Sequence, residues 1–191
     1  MTEEKKSLRL DWATLRLAVI LFAFAAVVAV FLGLINFITH ERIDTYKAEK
    51  SAAAMQAVLP AAEYSPVEGN DSIEKLDLVR EVYAAGDRGW VVMVSPSGFG
   101  GEIDMAVGVD TDGTVTGISI IDMSETSGLG ANAGRESFRS QFAGQSGLVA
   151  LSKEGGEIDA LTGATVTSSA VVRGVNAALA AAAELRKEAG N

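Results

Sequence analysis

The apolar and polar positions of the chain follow successive patterns, and the first of them predicts a membrane helix. The 22 residues from Leu17 to Ile38 include no charged side chain. As an α-helix this run would be about 33 Å long, which matches the ~30 Å hydrocarbon core of a bilayer. The run also exceeds the roughly 7–15-residue apolar core of a cleaved signal peptide. We therefore expect a transmembrane helix over residues 17–38 that is retained in the mature protein.

A weaker pattern over residues 39–75 predicts a stalk helix followed by a linker. Apolar residues recur loosely from Ile43 to Val58, and Pro60 then prevents the helix from continuing. Residues 60–75 are rich in proline, glycine and polar side chains, which favours a loop.

From Leu76 the pattern has a period of two and predicts β-strands. Ile103, Met105, Val107 and Val109 occupy alternate positions, so they share one face of a strand. Similar segments cover residues 76–83, 90–94 and 115–121. Turn-forming residues at 86–89 and 110–113 separate these segments, so we expect antiparallel hairpins.

The last pattern is helical again and covers about Thr167 to Lys187. Its apolar residues form one stripe that would face a core: Val171, Val175, Ala178, Leu179, Ala182 and Leu185. Strands followed by a long amphipathic helix predict an α+β fold. We expect an N-terminal transmembrane helix and then an antiparallel-sheet domain over residues 76–191 with flanking helices.

Composition narrows the chemistry that the chain can perform. It has no cysteine and a single histidine, His40. Disulfides, thiolate ligands and histidine-built metal sites are therefore excluded, and we expect no metal site. Redox chemistry would have to come from a bound cofactor.

The charge distribution argues against nucleic acid as a partner. Residues 1–38 contain four Lys or Arg and three acidic residues, which leaves 12 basic and 22 acidic residues downstream, a net charge of −10. Nucleic acid would repel such a domain. Four basic residues precede the apolar run and three follow it closely, a slight bias that puts residues 1–16 in the cytoplasm.

The strongest candidate site is the heptapeptide Asp159-Ala160-Leu161-Thr162-Gly163-Ala164-Thr165, directly before the last helix. Free backbone N–H groups and the positive end of the helix dipole converge at such a point, which suits an anion such as phosphate. The simpler alternative is that Thr162, Thr165 or Thr167 only caps the helix.

A second candidate is the glycine-rich loop from Ser124 to Gly134. Its glycines have the wrong spacing for a dinucleotide fingerprint, and no parallel βαβ unit follows them. The remaining alternative from the residues alone is an ordinary surface loop.

These segments together resemble a known family. Asp-x-x-Thr-Gly-Ala-Thr resembles the motif of FMN-binding domains whose flavin is joined through its phosphate to the last threonine. Residues 97–101, 107–110, 112–113 and 125–130 recur in the order found in G subunits of Rnf electron-transport complexes. The similarity to C subunits of sodium-translocating NADH:quinone reductases is less close.

The resemblance implies a covalent FMN on Thr165, attached by a transferase that takes FMN from FAD and needs Mg²⁺. The cofactor-binding motif would comprise Asp159, Thr162, Gly163, Ala164, Thr165 and Val166. Glu125, Thr126 and Leu129 would face the flavin ring, and Phe99 would either shield the ring or belong to the core. Ser127 stands where the family usually has proline, which removes a fixed φ and is expected to loosen the loop.

By this resemblance the chain would be an electron carrier without catalysis of its own. It would serve, with other membrane and peripheral subunits, a ferredoxin:NAD oxidoreductase that couples electron transfer to Na⁺ or H⁺ translocation. We expect it in the cell inner or plasma membrane, as a single-pass protein with its domain outside the cytoplasm. The alternatives are a C subunit of the quinone reductase, a stand-alone flavinylated carrier, or a flavin-free membrane-anchored interaction module.

Overall fold

The computed structural model describes residues 12–69 and 71–189, and the chain divides into two compact units, residues 1–46 and 47–191. The longer elements are α1 (Trp12–Val58), β1 (Ser65–Pro66), α2 (Asp71–Glu74), β2 (Val79–Ala84), β3 (Gly89–Val94), β4 (Ile103–Asp110), β5 (Val115–Met123), α3 (Glu136–Arg139) and α4 (Thr165–Ala189). Short 3₁₀ helices cover Gly130–Gly134, Ser140–Phe142 and Ser152–Glu154.

The first unit contains most of α1. Within it, Leu15–Ile38 is long and apolar enough to cross a membrane, and none of its side chains is buried. The uncharged run predicted over residues 17–38 lies inside this segment. It is therefore a candidate membrane span, as the sequence predicted.

The second unit is built on a five-stranded antiparallel meander in the order β1-β2-β3-β4-β5. The expected hairpins are confirmed, for example by the pairing of Val107 in β4 with Ile118 in β5. Ile103, Met105, Val107 and Val109 are all fully buried and belong to one core cluster, so the period-two pattern identified the correct face. The α+β class predicted from the sequence is confirmed.

Helices cover both faces of this sheet. On one face α4 packs its stripe, including Val171 and Val175, against β3 and β4. On the other face Ala54 and Val58, from the part of α1 that belongs to this unit, pack on Val91. Because both faces are covered, β3 is an almost continuous apolar run and not an alternating one.

Residues 47–75, expected to be a stalk and a linker, fall within the second unit. α1 ends at Val58, two residues before Pro60. The segment predicted as a loop over residues 60–75 contains β1 and α2, and Ile73 within it is buried in the main core. Elements of two and four residues are too short to produce a recognisable periodicity.

Candidate functional site

A cleft of about 390 Å³ opens at the N-terminal end of α4, between the helix and two glycine-rich loops. Its volume lies within the ~300–1,000 Å³ typical of small-molecule sites. The residues that line it are Phe99, Glu125, Thr126, Leu129, Gly130, Gly163, Ala164, Thr165, Val166 and Thr167.

The heptapeptide forms one wall of the cleft because it folds into a tight turn. The Ala164 N–H donates to the Leu161 carbonyl at 3.0 Å, and Gly163, third in this turn, has φ +74°. A positive φ at that position is the geometry of a type II turn, which favours glycine. A Cβ on Gly163 would lie 3.1 Å from Leu129 Cδ2, so the turn sits directly against the opposite loop.

A buried serine holds this turn onto the helix. The Ser168 hydroxyl accepts a hydrogen bond from the Leu161 N–H at 2.9 Å and donates one to the Ala164 carbonyl at 3.0 Å. Sequence reasoning missed Ser168. A serine hydroxyl beside the apolar stripe of an amphipathic helix is well placed to form hydrogen bonds with backbone groups.

The first turn of α4 leaves backbone donors free for a ligand. The first helical hydrogen bond runs from the Ser168 N–H to the Ala164 carbonyl, so the N–H groups of residues 165–167 have no acceptor within the helix. The positive end of the helix dipole lies at the same point, which favours a phosphate group there.

The three threonines near this turn differ in what their hydroxyls can do. Thr165 is exposed and lines the cleft. Thr167 is buried, and its hydroxyl donates to Glu125 Oε2 at 2.8 Å. Thr162 is exposed but is not among the lining residues. Of these three, only Thr165 combines access to solvent with a place on the cleft wall; Thr126, on the opposite loop, is also exposed and lines the cleft.

Glu125 joins three parts of the site. Its Oε1 accepts hydrogen bonds from the backbone N–H groups of Phe99 at 2.8 Å and Gly100 at 3.0 Å. Its Oε2 accepts the bond from Thr167. One carboxylate thereby connects the loop after β5, the turn before β4 and the start of α4.

The loop after β5 keeps a regular turn despite the serine at position 127. The Leu129 N–H donates to the Thr126 carbonyl at 3.1 Å, and Gly128, third in this turn, has φ +78°. The Asn132 side chain also donates to the Gly128 carbonyl at 2.8 Å. This turn presents Leu129, 43% exposed, to the cleft.

Most residues singled out from the sequence meet at the cleft. Glu125, Thr126, Leu129, Gly163, Ala164, Thr165 and Val166 all line it. Asp159 does not; it is exposed, and its backbone N–H donates to Gln141 Oε1 at 2.7 Å. Phe99 is 74% exposed at the cleft edge, so it is not a core aromatic. Thr167 was considered only as a cap, although it precedes Val171 by one helical turn and so lies on the core-facing stripe.

The lining is suited to a flavin mononucleotide. Phe99, Leu129 and Val166 offer apolar surface for an aromatic ring system, while the start of α4 offers donors for a phosphate. None of the ten lining residues is Lys, Arg or His, and Glu125 is the one charged residue among them. A phosphate in the cleft would therefore be held by backbone N–H donors and by a bond to the Thr165 hydroxyl.

The fold and the cleft are suited to holding a cofactor, and residues 98–180 match the family of FMN-binding domains. The chain is 37% identical to the G subunit of the Na⁺-translocating ferredoxin:NAD⁺ oxidoreductase complex of Acetobacterium woodii, over 91% of this chain and 94% of that protein. It is 33% identical to the G subunit of the ion-translocating oxidoreductase complex of Methanosarcina acetivorans, over 86% and 92% of the two chains.

The chain therefore belongs to the family of G subunits of ion-translocating oxidoreductase complexes, as its motifs indicated. Its fold is also similar to the crystal structure of the C subunit of Na⁺-translocating NADH-quinone reductase from Parabacteroides distasonis. That match has a TM-score of 0.52 and 21% identity and covers 72% of this chain and 83% of the other. At this identity the likeness is one of fold.

Proposed function

We propose that this protein is a membrane-anchored electron carrier of an Rnf-type ion-translocating oxidoreductase, with FMN joined covalently to Thr165. One observation gives this proposal its strongest support. In the motif turn, Thr165 alone presents an exposed hydroxyl to the cleft, while the neighbouring Thr167 hydroxyl is already bonded to Glu125.

The chemistry of the cleft supports a covalent bond. Its walls contain no basic side chain that could hold a phosphate by an ion pair. An ester makes retention independent of such pairs. In the attachment reaction, Thr165 Oγ1 forms a bond to the FMN phosphorus of FAD and loses its proton, while the diphosphate bond breaks and AMP leaves with the electron pair. A Mg²⁺-dependent flavin transferase is the partner for this step.

The chain's own residues position the cofactor and limit its contact with water. The flavin supplies the electron-transfer chemistry when it is bound. Phe99, Leu129 and Val166 line the cleft and would cover apolar ring surface, and the N–H groups of the first turn of α4 would hold the phosphate end. No side chain acts as a nucleophile, acid or base during turnover.

The apolar segment and a slight charge bias support the proposed place of the protein in the membrane. The run over residues 17–38, inside the apolar segment Leu15–Ile38, would be a single span, with residues 1–16 in the cytoplasm and the FMN-binding domain outside it. A permanently attached flavin suits that location, because a dissociated cofactor would be lost there. The other subunits of the complex would exchange electrons with it and couple the transfer to Na⁺ or H⁺ movement.

The test is the fluorescence of the denatured protein. We expect the chain, produced together with its flavin transferase, to give a band on a denaturing gel that fluoresces under ultraviolet light. Thr165→Val removes the acceptor oxygen and should leave the band dark. Thr111→Val, the same change at an exposed threonine in the turn between β4 and β5, should leave it fluorescent.

Two results would contradict the proposal. A dark wild-type band would support a flavin-free interaction module instead. A fluorescent Thr165→Val band would show that the flavin is attached to another residue.

A further inference from the structure

We infer that Glu125 is a positioning residue that fixes the entrance of the flavin cleft and also places a negative charge beside the cofactor. The inference rests on the proposed function for its second part, since a charge can affect a flavin only if one is bound. The first part concerns the protein alone.

The positioning role follows from the three bonds that Glu125 accepts. They reach two backbone N–H groups in the turn before β4 and one hydroxyl on the first turn of α4. These partners lie 26, 25 and 42 residues away along the chain. The carboxylate therefore links three segments that are far apart in the sequence. Hydrogen bonds within any one segment could not hold them together.

Glycines leave the space that this carboxylate fills. A Cβ on Gly98 would overlap Glu125 Oε1, and a Cβ on Gly130 would lie 2.5 Å from Glu125 Oε2. Real Cβ atoms do not approach other heavy atoms so closely. Gly98 and Gly130 thus both lie directly against the carboxylate in its hydrogen-bonded position.

The charge follows from the direction of the bonds. All three partners donate a hydrogen bond to Glu125. An ionised carboxylate can accept all three, and it carries no proton that would need an acceptor. Glu125 is half-buried, and it is the one charged residue among those lining the cleft. Water therefore screens its charge less than that of a surface glutamate.

A fixed anion at this position should lower the redox potential of the flavin. When the flavin accepts electrons from a neighbouring reduced redox centre, negative charge is added to the cleft, unless a proton is taken up with each electron. The Glu125 carboxylate disfavours that added charge and so favours the oxidised flavin. It would keep the flavin a better electron donor than the same ring beside a neutral side chain.

Two variants separate the positioning role from the charge. Glu125→Gln keeps an oxygen that can accept both backbone bonds, and the Thr167 hydroxyl can rotate to accept from the new amide, but the charge is lost. Glu125→Ala removes the bonds and the charge together. Glu184→Gln removes one negative charge from α4 nineteen residues beyond Thr165, roughly 28 Å along the helix, and serves as the control.

The first measurement uses the full chain in detergent, made without transferase. Amide hydrogen exchange at Phe99 and Gly100 should be roughly tenfold faster in Glu125→Ala than in wild type, because hydrogen bonds to a charged acceptor are lost. Glu125→Gln should stay within a few-fold of wild type. Unchanged exchange in Glu125→Ala would overturn the positioning role.

The second measurement is a spectroscopic redox titration of the flavinylated chain. The midpoint potential should move to a more positive value in Glu125→Gln and stay at the wild-type value in Glu184→Gln. A fluorescent wild-type band with no difference between Glu125→Gln and wild type would overturn the charge role alone. A dark wild-type band would overturn the proposed function and the charge role with it, while the exchange measurement still decides the positioning role.

Discussion

Two helical segments in the described part of the chain are long and apolar enough to cross a membrane, yet they suit different surroundings. They are Leu15–Ile38 and Thr165–Glu188. In the first, none of the segment is buried; in the second, 61% is buried against the rest of its unit. Apolar composition alone therefore does not distinguish a membrane span from a core helix.

The difference lies in how the apolar residues are arranged. Beyond Arg16, the segment Leu15–Ile38 has no charged side chain on any side of the helix, which suits lipid all round. α4 buries most of its apolar residues along one face and places Arg173 and Glu184 elsewhere on its surface. Ala178, Ala181 and Ala182 on the stripe are fully buried, because small side chains allow the helix to lie close to the sheet.

Removal of the first unit gives the largest expected effect and tests this comparison directly. A chain of residues 47–191 should move from the membrane fraction to the soluble fraction and stay folded, because both core clusters lie within it. A chain that begins at Leu59 should unfold, since it lacks Ala54 and Val58. Fractionation and thermal melts by circular dichroism would measure both. An unfolded 47–191 chain would contradict the division into two units.

A single aspartate in each helix should affect different properties. Val171→Asp buries an unpaired charge in the core and should lower the free energy of unfolding of the domain by roughly 4 kcal/mol or more. Val27→Asp should cost about 2.5–3.5 kcal/mol of membrane insertion and leave the domain's melting temperature unchanged. Denaturation of the detergent-solubilised chains and membrane fractionation would separate the two effects. Equal loss of domain stability would show that the span contributes to the folded core.

The smallest expected effect comes from the same substitution at the one glycine of each helix. A Cβ on Gly174 would lie 2.7 Å from Met105 Cε, at the end of a flexible side chain, and 3.0 Å from Pro96 Cγ. Gly33 has nothing within 4 Å in the described structure. Overpacking costs about 1–3 kcal/mol, and the better helix propensity of alanine returns up to ~1 kcal/mol.

Gly174→Ala should therefore lower domain stability by about 1 kcal/mol, or roughly 2–4 °C in melting temperature. Gly33→Ala should leave the melting temperature unchanged. A stabilised Gly174→Ala domain would mean that the sheet yields to α4 more easily than the packing indicates.

Regular patterns in the sequence were sufficient for the long elements. The length of the uncharged run over residues 17–38 was enough to identify that helix. The alternation in β4 and the stripe of α4 repeat often enough to identify each element and its buried face. β1 and α2 were missed because two and four residues contain no full repeat. The packing of the end of α1 on the sheet was missed because a loosely periodic segment gives no information about its partner.

The candidate site shows the same limit. The heptapeptide and the loop after β5 were identified by residue type and spacing, and both line the cleft. The bond between Thr167 and Glu125 was not predicted, because it joins residues 42 positions apart. A local pattern cannot report which distant side chain will satisfy a buried hydroxyl.

By itself, the sequence determined the apolar segment, the strands, the last helix and the two segments from which a flavin site could be built. These depend on periodicity and on local turn chemistry, which act over a few residues. Only the tertiary structure decided which threonine stays accessible and where the one charge of the cleft lies. Both depend on hydrogen bonds that form when the sheet brings α4 and the two loops together.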